Sequence, residues 1–307
     1  MKRDGCKVGY AKVNNRCIKI PESRIVRKKD LAGMPPMVAR VGGKTKLKKT
    51  LRGYVPEHNV YVEPFVGGGT LYWDKPLAQK NIINDMDPAL IKFYKDVKNG
   101  KTKDIKACRL PTTKKEFEQA KQQRQRDGTY KDPCDYLRVI KRSYGGRGNI
   151  FNMPPQESRP NANKYKSTAR IHRMIHNADM YHDKLKKTSV SRRDFCDAMK
   201  KHDSRDTFHY LDPPYWDTNE KYNQKKIHPQ NVVACASKMK GKVLVSYDDV
   251  GEVKKAFRGW KKKRVKTKYE MQSSGSLAGV KKDKTELLIM NYDPRSGKRL
   301  KIPRVAG

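Results

Sequence analysis

The chain has 307 residues, enough for one large domain or for a domain that carries an insert. It contains 71 lysines and arginines against 32 aspartates and glutamates, a formal net charge of +39, and such a surface attracts polyanions. Because the excess is spread along the chain, a general adaptation of solubility explains it as well. Charge alone does not separate DNA from RNA or from an acidic protein partner.

No stretch approaches the roughly 18 apolar residues of a membrane-spanning helix, and the N-terminus lacks the apolar core of a signal peptide. We therefore expect a soluble, intracellular protein that is not secreted. The six cysteines form no CxxC pair, which argues against a zinc site and favours reduced thiols. Pairing of Cys6 with Cys17 across a small hairpin is the alternative for the first two cysteines.

The first third of the chain predicts a basic arm followed by strands and a helix. Residues 1–30 are basic and poor in large apolar side chains. The β-branched and aromatic runs at 60–62 and 82–83 predict two strands. Asp87 and Pro88 are typical of a helix N-cap and first turn, so a helix should follow and end at Asn99-Gly100.

Residues 101–186 interrupt this pattern and predict an insert. Two charged stretches, 114–126 and 133–142, have helical character, and residues 163–186 are polar and helical in part. The glycine-rich run 144–149 fits neither a helix nor a strand.

Strand patterns return after the insert, and helical stretches near 229–239 and 249–258 separate three of the strands. The candidate strands are 190–195, 208–211, 243–247, 265–269 and 287–291. Strand-helix alternation predicts an α/β fold with a mostly parallel sheet. The last two strands have no helix between them and should form an antiparallel edge pair, joined through a mobile loop at 273–285.

A glycine cluster follows the first strand, in the run EPFVGGGT at 63–70. Glycines such as Gly67 and Gly69 permit tight turns and close approach of a ligand, although an ordinary turn is the simpler explanation. Asp85 follows the next strand, where an acid can accept hydrogen bonds from ribose hydroxyls. Helix capping is the alternative for Asp85, but Asp87 is better placed for it.

The run LDPPYW at 211–216 ends a strand with an acid, two prolines and two aromatic residues. Because α/β folds bind ligands at the carboxyl ends of their strands, Asp212 should face a ligand. Pro213 and Pro214 carry no N–H, so the Asp212 carboxylate and the Pro213 carbonyl can accept hydrogen bonds from one amino group. Tyr215 and Trp216 can stack on a base. A proline-terminated strand with a core tyrosine is the purely structural alternative.

From about residue 38 to residue 292, the chain resembles the Dam-type adenine-N6 DNA methyltransferases of the D12 class. The resemblance rests on seven ordered motifs: VGGK at 41–44, EPFVGGG at 63–69, NDMD at 84–87, YLRVIKRSYGGRGNIFN at 136–152, RRDF at 192–195, LDPPYW at 211–216, and the pair VLVSYDD at 243–249 and ELLIMNY at 286–292. It implies a Rossmann-like methyltransferase sheet with a helical and hairpin target-recognition insert. The implied domains are an arm at 1–30, a catalytic domain at 31–100 and 187–307, and a DNA-binding insert at 101–186.

The resemblance also implies S-adenosylmethionine as the methyl donor. Its methionine part should lie near Lys44 and the turn that contains Glu63, Phe65, Gly67 and Gly69. Its ribose should meet Asp85, and its adenine should meet Asp194 and Phe195. The cofactor methyl group should lie near Asp212.

The same resemblance implies double-stranded DNA as the substrate and an adenine rotated out of the helix. Asp212 and the Pro213 carbonyl should accept from the target amine, Pro214 should shape the turn, and Tyr215 should stack on the base. No metal is required. In the insert, the candidate DNA contacts are Arg138, Lys141, Arg142, Arg147 and Asn149. Arg147 is the best candidate for a base contact, and a solvated arginine is an equal alternative.

The chain departs from the family pattern at two places. Val41 replaces the aromatic residue usual in the first motif, and Gly145-Gly146-Arg147-Gly148 replaces an asparagine-glycine turn in the hairpin. The second change makes the recognised base sequence unpredictable. The N-terminal arm lies outside the resemblance, and its glycine-cysteine pattern is similar to short motifs in proteins of large DNA viruses.

Other activities fit part of this pattern. A cytosine-N4 or an RNA adenine methyltransferase would use the same proline turn, and a basic DNA-binding protein could retain the fold without catalysis. A glycine-motif oxidoreductase fits less well, because no second nucleotide pattern is present. The resemblance is compatible with localisation to a nucleoid or to viral or host DNA. It is also compatible with a cognate restriction endonuclease as a partner.

Overall fold

The computed structural model describes residues 10–13, 16–19, 31–38, 40, 42–152, 171, 173–215, 227–271 and 280–300. Within these ranges, every helix is too short or too polar to cross a membrane. Val41, Trp216 and Cys6, which were singled out above, lie outside them.

The described part of the chain contains both strands and helices. The strands are β1 (Tyr10–Val13), β2 (Arg16–Lys19), β3 (Val60–Glu63), β4 (Lys80–Asn84), β5 (Thr188–Ser191), β6 (Thr207–Leu211), β7 (Lys242–Asp248), β8 (Lys261–Met271) and β9 (Val280–Met290). The helices are α1 (Lys48–Arg52), α2 (Thr70–Asp74), α3 (Pro88–Lys98), α4 (Thr102–Ala107), α5 (Lys114–Gln122), α6 (Pro133–Lys141), α7 (Ala178–Leu185), α8 (Phe195–Lys201), α9 (Pro229–Ala236) and α10 (Gly251–Ala256).

Seven strands form one mixed sheet in the order β5-β4-β3-β6-β7-β9-β8, and β1 pairs with β2 in a separate antiparallel ribbon. The pairs β3–β4, β3–β6 and β6–β7 are parallel. The predicted α/β class and mostly parallel sheet are therefore confirmed. The chain leaves β3 in one direction towards β4 and returns to its other side as β6. This reversal of strand order is where open α/β sheets form ligand crevices.

The predicted antiparallel edge pair is also confirmed, since β9 lies antiparallel to both β7 and β8. The predicted loop at 273–285 is wrong for its last part, because residues 280–285 belong to β9. Lys266 of β8 pairs with Thr285, for example. Such long-range pairing supplies hydrogen bonds that local composition does not reveal. Residues 272–279 lie outside the described part.

The strand predicted at 190–195 is wrong beyond residue 191. The Asp194 carboxylate accepts hydrogen bonds from the backbone N–H groups of Cys196 and Asp197, so it is the N-cap of α8. Capping satisfies helix donors that would otherwise lack partners and starts a helix where β-propensity predicted a strand. The predicted cap of α3 is confirmed, because Asp87 accepts from the backbone of Ala89 and Leu90 and Pro88 occupies the first turn.

The chain forms two compact units. One comprises Met1–Gly43, Gly67–Leu77 and Asp87–Val190, and the other comprises Lys44–Val66, Ala78–Met86 and Ser191–Gly307. The domain limits predicted from the sequence follow a different criterion and stay a prediction.

The second unit contains an apolar core on one face of the sheet. Alternate residues of β7 and β9, including Val245 and Ile289, pack with side chains of α8, α9 and α10. All five residues of β6 are buried, which is typical of a central parallel strand covered on both faces. This burial holds the end of β6 in a defined position.

The first unit is organised around aromatic side chains. Trp73 is fully buried and lies edge-on to Tyr72, Tyr94 and Tyr181. The buried Lys184 ammonium donates to the carbonyls of Leu31 and Lys75, each at 2.7 Å. These backbone acceptors offset part of the cost of removing the charge from water.

The expectation of reduced thiols is wrong for four cysteines. Disulfide bonds join Cys108 to Cys134 and Cys196 to Cys235. The partners are 26 and 39 residues apart, so only the folded chain brings them together. Spacing patterns such as CxxC therefore gave no indication of them.

Candidate active site

The ends of β3 and β6 bring the sequence-predicted acids to one edge of the sheet. The two strands are parallel neighbours, with Val62 beside His209. Glu63 is the last residue of β3, and Asp212 directly follows β6. Both acids therefore lie at the carboxyl edge of the sheet, on either side of the reversal in strand order.

Asp212 is held by two donors that both contact its Oδ1 atom. Lys44 Nζ lies 2.7 Å from this oxygen, and the Ser246 hydroxyl donates to it at 3.0 Å. Among the described residues, no hydrogen bond to Oδ2 is present. The Asp212 side chain is 23% exposed. Oδ2 is therefore the oxygen that can accept a hydrogen bond from a ligand amine.

Burial raises the pKa of Asp212 above its usual range, and the nearby Glu286 carboxylate raises it further. The Lys44 ammonium and the Ser246 hydroxyl act in the opposite direction without cancelling the effect of burial. The charge of Asp212 thus depends on its two donors, because a carboxylate in such surroundings loses favourable hydration.

Lys44 joins Asp212 to a second acid. Its Nζ atom lies 3.7 Å from Glu286 Oε2, and Lys44 and Glu286 are 2% and 0% exposed. Lys44 precedes α1, whereas Glu286 is in β9, so these two charges meet only through the fold. The site contains a buried ammonium between two carboxylates.

Tyr215 lies beside the same ammonium. Lys44 Nζ is 4.6 Å from the centre of the Tyr215 ring, and the ring of Tyr247 stacks against Tyr215 with centres 6.1 Å apart. The Tyr247 hydroxyl donates to the Pro214 carbonyl at 3.5 Å, which ties the proline turn to β7. A base that stacks on Tyr215 must share this ring with its present neighbours.

A buried hydroxyl pair extends the site along β6 and β7. The hydroxyls of Tyr210 and Ser246 lie 3.1 Å apart. Burial raises the pKa of the Tyr210 hydroxyl well above its usual value, and Asp212, Glu63 and Glu286 raise it further. All three carboxylates therefore act on this hydroxyl. The Tyr61 hydroxyl donates to Glu63 at 2.7 Å.

Phe65 and Phe195 form a stacked pair, with ring centres 5.1 Å apart. Phe195 is buried, while Phe65 is partly exposed and provides a flat apolar surface. Asp85 follows β4 and its backbone N–H donates to the Ser191 carbonyl. Asp194 is exposed, and one of its carboxylate oxygens is used by the α8 cap. These residues offer an aromatic surface and acids to a ligand.

The glycine motif is used by the chain itself. Gly67 and Gly69 have φ angles of 44° and 68°, which favour glycine. A Cβ atom on Gly68 would lie 2.8 Å from the Val38 carbonyl oxygen, closer than packing allows. The Tyr94 hydroxyl donates to the Gly67 carbonyl at 2.8 Å. The motif thus forms a turn that permits little substitution, whatever ligand it meets.

In the predicted hairpin, residues 143 and 151 form an isolated antiparallel bridge around a loop. The loop is closed by hydrogen bonds from Tyr144 N to Ile150 O and from Asn152 N to Arg142 O, at 2.8 and 2.7 Å. The side chains of Arg147 and Asn149 are exposed on it. Tyr144 and Ile150 are exposed as well, at 43% and 68%, and sequence reasoning did not select them.

The other basic candidates are less accessible. Arg138 forms an ion pair with Asp135 at 2.8 Å and donates to the Arg109 carbonyl. Arg142 is partly buried, and burial lowers the pKa of its guanidinium. Lys141 is partly exposed. Arg147 and Asn149 are therefore the predicted side chains best placed to meet a large partner.

The structure brings Lys44, Asp212 and Tyr215 into contact, as expected of one site. It adds Ser246 and Glu286, which sequence reasoning placed in strands without a role. Each is a fully buried polar residue within an otherwise apolar run, VLVSY or ELLIM, and that interruption was the available signal. A buried polar side chain in a strand needs a partner, which is provided here by Asp212 or Lys44.

Comparison with known proteins supports the resemblance. The family model of the D12 class N6 adenine-specific DNA methyltransferases matches residues 41–271. The DNA adenine methylase of Salmonella typhi is 25% identical over 278 residues, covering 82% of this chain and 93% of its own length. The type II methyltransferase M1.LlaDCHI of Lactococcus lactis subsp. cremoris is 25% identical over 194 residues, or 61% of this chain and 68% of that protein.

Two further similarities are narrower or weaker. The DNA N-6-adenine-methyltransferase of Escherichia phage P1 is 41% identical over 54 residues, which is 18% of this chain and 7% of the phage protein. A solved structure from Pyrococcus horikoshii, provisionally assigned as an RNA methyltransferase, has 12% identity and a TM-score of 0.33 over 80% of this chain and 79% of its own. The family model covers most of the chain, and the chain belongs to the D12 class of N6 adenine-specific DNA methyltransferases.

Proposed function

We propose that this chain transfers a methyl group from S-adenosylmethionine to N6 of an adenine in double-stranded DNA, and that the adenine is rotated out of the helix to reach Asp212. Family membership supports the reaction class. The observation that carries the proposal is the position of Asp212, partly exposed at the carboxyl edge of the sheet with Oδ1 already held by Lys44 and Ser246.

The side chains at this edge of the sheet fit S-adenosylmethionine. The stacked Phe65–Phe195 pair suits the adenine ring, Asp85 suits ribose hydroxyls, and the carboxylates near Lys44 suit a cationic sulfonium. When bound, this cofactor supplies an electrophilic methyl group.

Asp212 and the Pro213 carbonyl act on the target amine. The lone pair of this amine is delocalised into the purine ring, so it is a weak nucleophile. Hydrogen bonds from its two N–H groups to Asp212 Oδ2 and the Pro213 oxygen favour a pyramidal nitrogen with an available lone pair. The nitrogen becomes positive as it gains the methyl group, and the fixed carboxylate stabilises that charge. The bond between the methyl group and sulfur breaks as the bond to nitrogen forms, which leaves S-adenosylhomocysteine, and the extra proton of the nitrogen is then lost to solvent.

Rotation of the adenine costs a few kcal/mol, and stacking on Tyr215 offsets roughly 1–3 kcal/mol of it. For the base to stack, the Lys44 ammonium must share or leave the Tyr215 ring. Arg147 and Asn149 contact the duplex from the closed loop. A cognate restriction endonuclease is a compatible partner.

The test is methyl transfer from labelled S-adenosylmethionine to unmethylated genomic DNA, followed by mass spectrometry of the nucleosides. We expect N6-methyladenine with the wild-type protein and a loss of rate on the order of 10²-fold or more with Asp212→Ala, which removes the acceptor. Asp206→Ala is the matched control, because this exposed acid precedes the other end of β6.

Each other outcome identifies a different activity. Methylated cytosine would show that the target base is cytosine and not adenine. Methylated adenosine found only in RNA would show that the substrate is RNA and not DNA. Absence of transfer to any nucleic acid, despite bound cofactor, would leave a DNA-binding role. Equal loss of rate in both variants would remove Asp212 from the proposed mechanism.

A further inference from the structure

The disulfide between Cys196 and Cys235 lies beside the aromatic surface proposed for the cofactor adenine, and the mechanism above does not use it. Cys196 is the second residue of α8, directly after Phe195, and Cys235 lies near the end of α9. Phe195 stacks against Phe65, with ring centres 5.1 Å apart. The bond therefore joins the first turn of the helix that carries Phe195 to a second helix of the same compact unit.

Phe195 lies between two fixed points of the chain, and the disulfide is one of them. On its N-terminal side, Asn84 Nδ2 donates to the Arg193 carbonyl and Asn84 Oδ1 accepts from the Arg193 backbone N–H, both at 2.9 Å. On its C-terminal side, Cys196 is bonded to Cys235. Because a helix of seven residues is only marginally stable by itself, the first turn of α8 depends on such contacts.

Apolar packing also joins α8 to α9, but it fixes the first turn of α8 less firmly than the disulfide does. Met199 of α8 and Val232 and Ala236 of α9 are buried in the same core as Cys235. Apolar contacts are non-directional, whereas a disulfide has a specific geometry that fixes Cys196 at one place on α9. When the bond is absent, the first turn can shift while the apolar side chains of both helices stay buried.

The bond can be broken and formed again without any change in the sequence. A dithiol reductant supplies two electrons and two protons: the S–S bond breaks, Cys196 and Cys235 become thiols, and the dithiol becomes a disulfide. Cys196 is partly exposed and Cys235 is buried, so Cys196 is the more accessible partner. An oxidant of the disulfide class reverses the step and is itself reduced to thiols.

We infer that this disulfide makes cofactor binding depend on redox state: the oxidised form holds Phe195 where it stacks with Phe65 and receives the adenine ring of S-adenosylmethionine, and reduction lowers the affinity. The inference rests on the proposed function, since it assumes that this aromatic pair binds the cofactor. The bond between Cys108 and Cys134 lies in the other compact unit, and its loss should leave cofactor binding unchanged.

The first experiment measures the dissociation constant of S-adenosylmethionine by calorimetry in the absence of DNA. For the double variant Cys196→Ala/Cys235→Ala, we expect this constant to rise on the order of tenfold, as when the binding-competent form falls to about one tenth of the protein. The matched control is Cys108→Ala/Cys134→Ala, which should keep the wild-type constant. The two bonds join cysteines 39 and 26 residues apart, so their loss should lower the free energy of unfolding to a similar extent.

The second experiment breaks the bond chemically, so it does not depend on whether the first double variant folds. In the Cys108→Ala/Cys134→Ala protein, dithiothreitol should raise the dissociation constant on the order of tenfold, and reoxidation by glutathione disulfide should restore it. The protein that carries all four alanine replacements should not respond to dithiothreitol. This control separates the bond at Cys196 from every other cysteine of the chain.

A second binding measurement distinguishes positioning of Phe195 from a general loss of structure. The affinity for a labelled DNA duplex, measured without cofactor, should be the same before and after reduction. A fall in cofactor affinity alone supports the inference. A cofactor affinity that does not change on reduction, or a parallel fall in duplex affinity, overturns the inference and leaves the proposed function in place. Oxidised wild-type protein that does not bind S-adenosylmethionine overturns both.

Discussion

At the scale of single residues, the state of Asp212 depends on side chains far from it in the sequence. Lys44 and Ser246 both contact Oδ1, and each favours the ionised carboxylate. Burial and Glu286 favour the neutral acid, and Tyr210 is a further titratable neighbour. The residue that the sequence predicts to be catalytic therefore depends on neighbours that favour its charged form.

Replacing Ser246 by alanine removes one of these donors. We expect kcat to fall about tenfold, since a hydrogen bond to a charged group contributes about 1.5–3 kcal/mol. The pKa of Asp212 should rise, because the lost hydroxyl favoured the carboxylate. The acid side of the pH–rate profile should therefore move to higher pH. Methyl-transfer rates across a pH series measure both effects.

The control for this change is Ser237→Ala, which removes a hydroxyl that donates to the Ala234 carbonyl at the end of α9. It should keep the wild-type profile. If Ser246→Ala lowers the rate but leaves the acid side of the pH–rate profile unchanged, the hydroxyl acts on geometry and not on the charge of Asp212.

At the scale of elements, β6 and β7 are positioned by a carboxylate that precedes β6. Asp203 accepts from the backbone N–H groups of Lys240 and Gly241, at 2.7 and 2.9 Å, and its Oδ1 lies 3.1 Å from His209 Nε2. Gly241 is required here because a Cβ atom would lie 2.4 Å from the Thr207 carbonyl oxygen. This connection places the start of β7 beside the start of β6, at the opposite end from Asp212.

Asp203→Asn should destabilise the fold by about 1–3 kcal/mol at pH 7, since it removes a charged acceptor. Burial alone would raise the pKa of Asp203, but the hydrogen bonds from His209, Lys240 and Gly241 hold it below its usual value. A carboxylate of this kind stabilises the fold above its unfolded pKa of about 3.9, and the stabilisation is lost as pH falls through the folded pKa.

The difference in unfolding free energy between wild type and Asp203→Asn should therefore narrow as pH falls below about 4. Urea unfolding at neutral and acidic pH measures it. Asp206→Asn is the control, since Asp206 is exposed three residues later. A difference that stays constant with pH would mean that the variant acts through geometry alone.

At the scale of the whole molecule, the charge of +39 dominates interactions with nucleic acid. Lysines and arginines release counterions from DNA phosphates, so affinity falls steeply as salt concentration rises. This term is independent of sequence and orients the protein on the duplex without selecting a site. Individual side chains are distinguished by their exposure, which is greater for Arg147 than for Arg138.

Arg147→Ala should lower the slope of log affinity against log salt by about 1, as expected for the loss of one phosphate contact. Arg138→Ala should change the slope much less, because Arg138 is engaged by Asp135 and the Arg109 carbonyl. Binding of a labelled duplex at several salt concentrations measures both slopes. If instead Arg147→Ala relaxed the choice of methylated site at an unchanged slope, Arg147 would contact a base.

The amino-acid sequence by itself determined the fold class, the order of most strands and helices, and the acid at the end of β6. Local patterns carry this information: β-branched runs, the Asp87-Pro88 start of α3, and prolines that end a strand at Asp212. Patterns of this kind act between residues close in the chain, so they can be recognised without the tertiary structure.

Only the tertiary structure decided which groups surround that acid. Lys44, Ser246 and Glu286 come from three distant segments and meet through sheet order and register. The pairing of Cys196 with Cys235 and the extension of β9 to residue 280 also depend on contacts between distant segments. At Asp194, packing decides between a helix and a strand. Local propensity is weaker than the energy of these contacts, because burial and long-range pairing outweigh it.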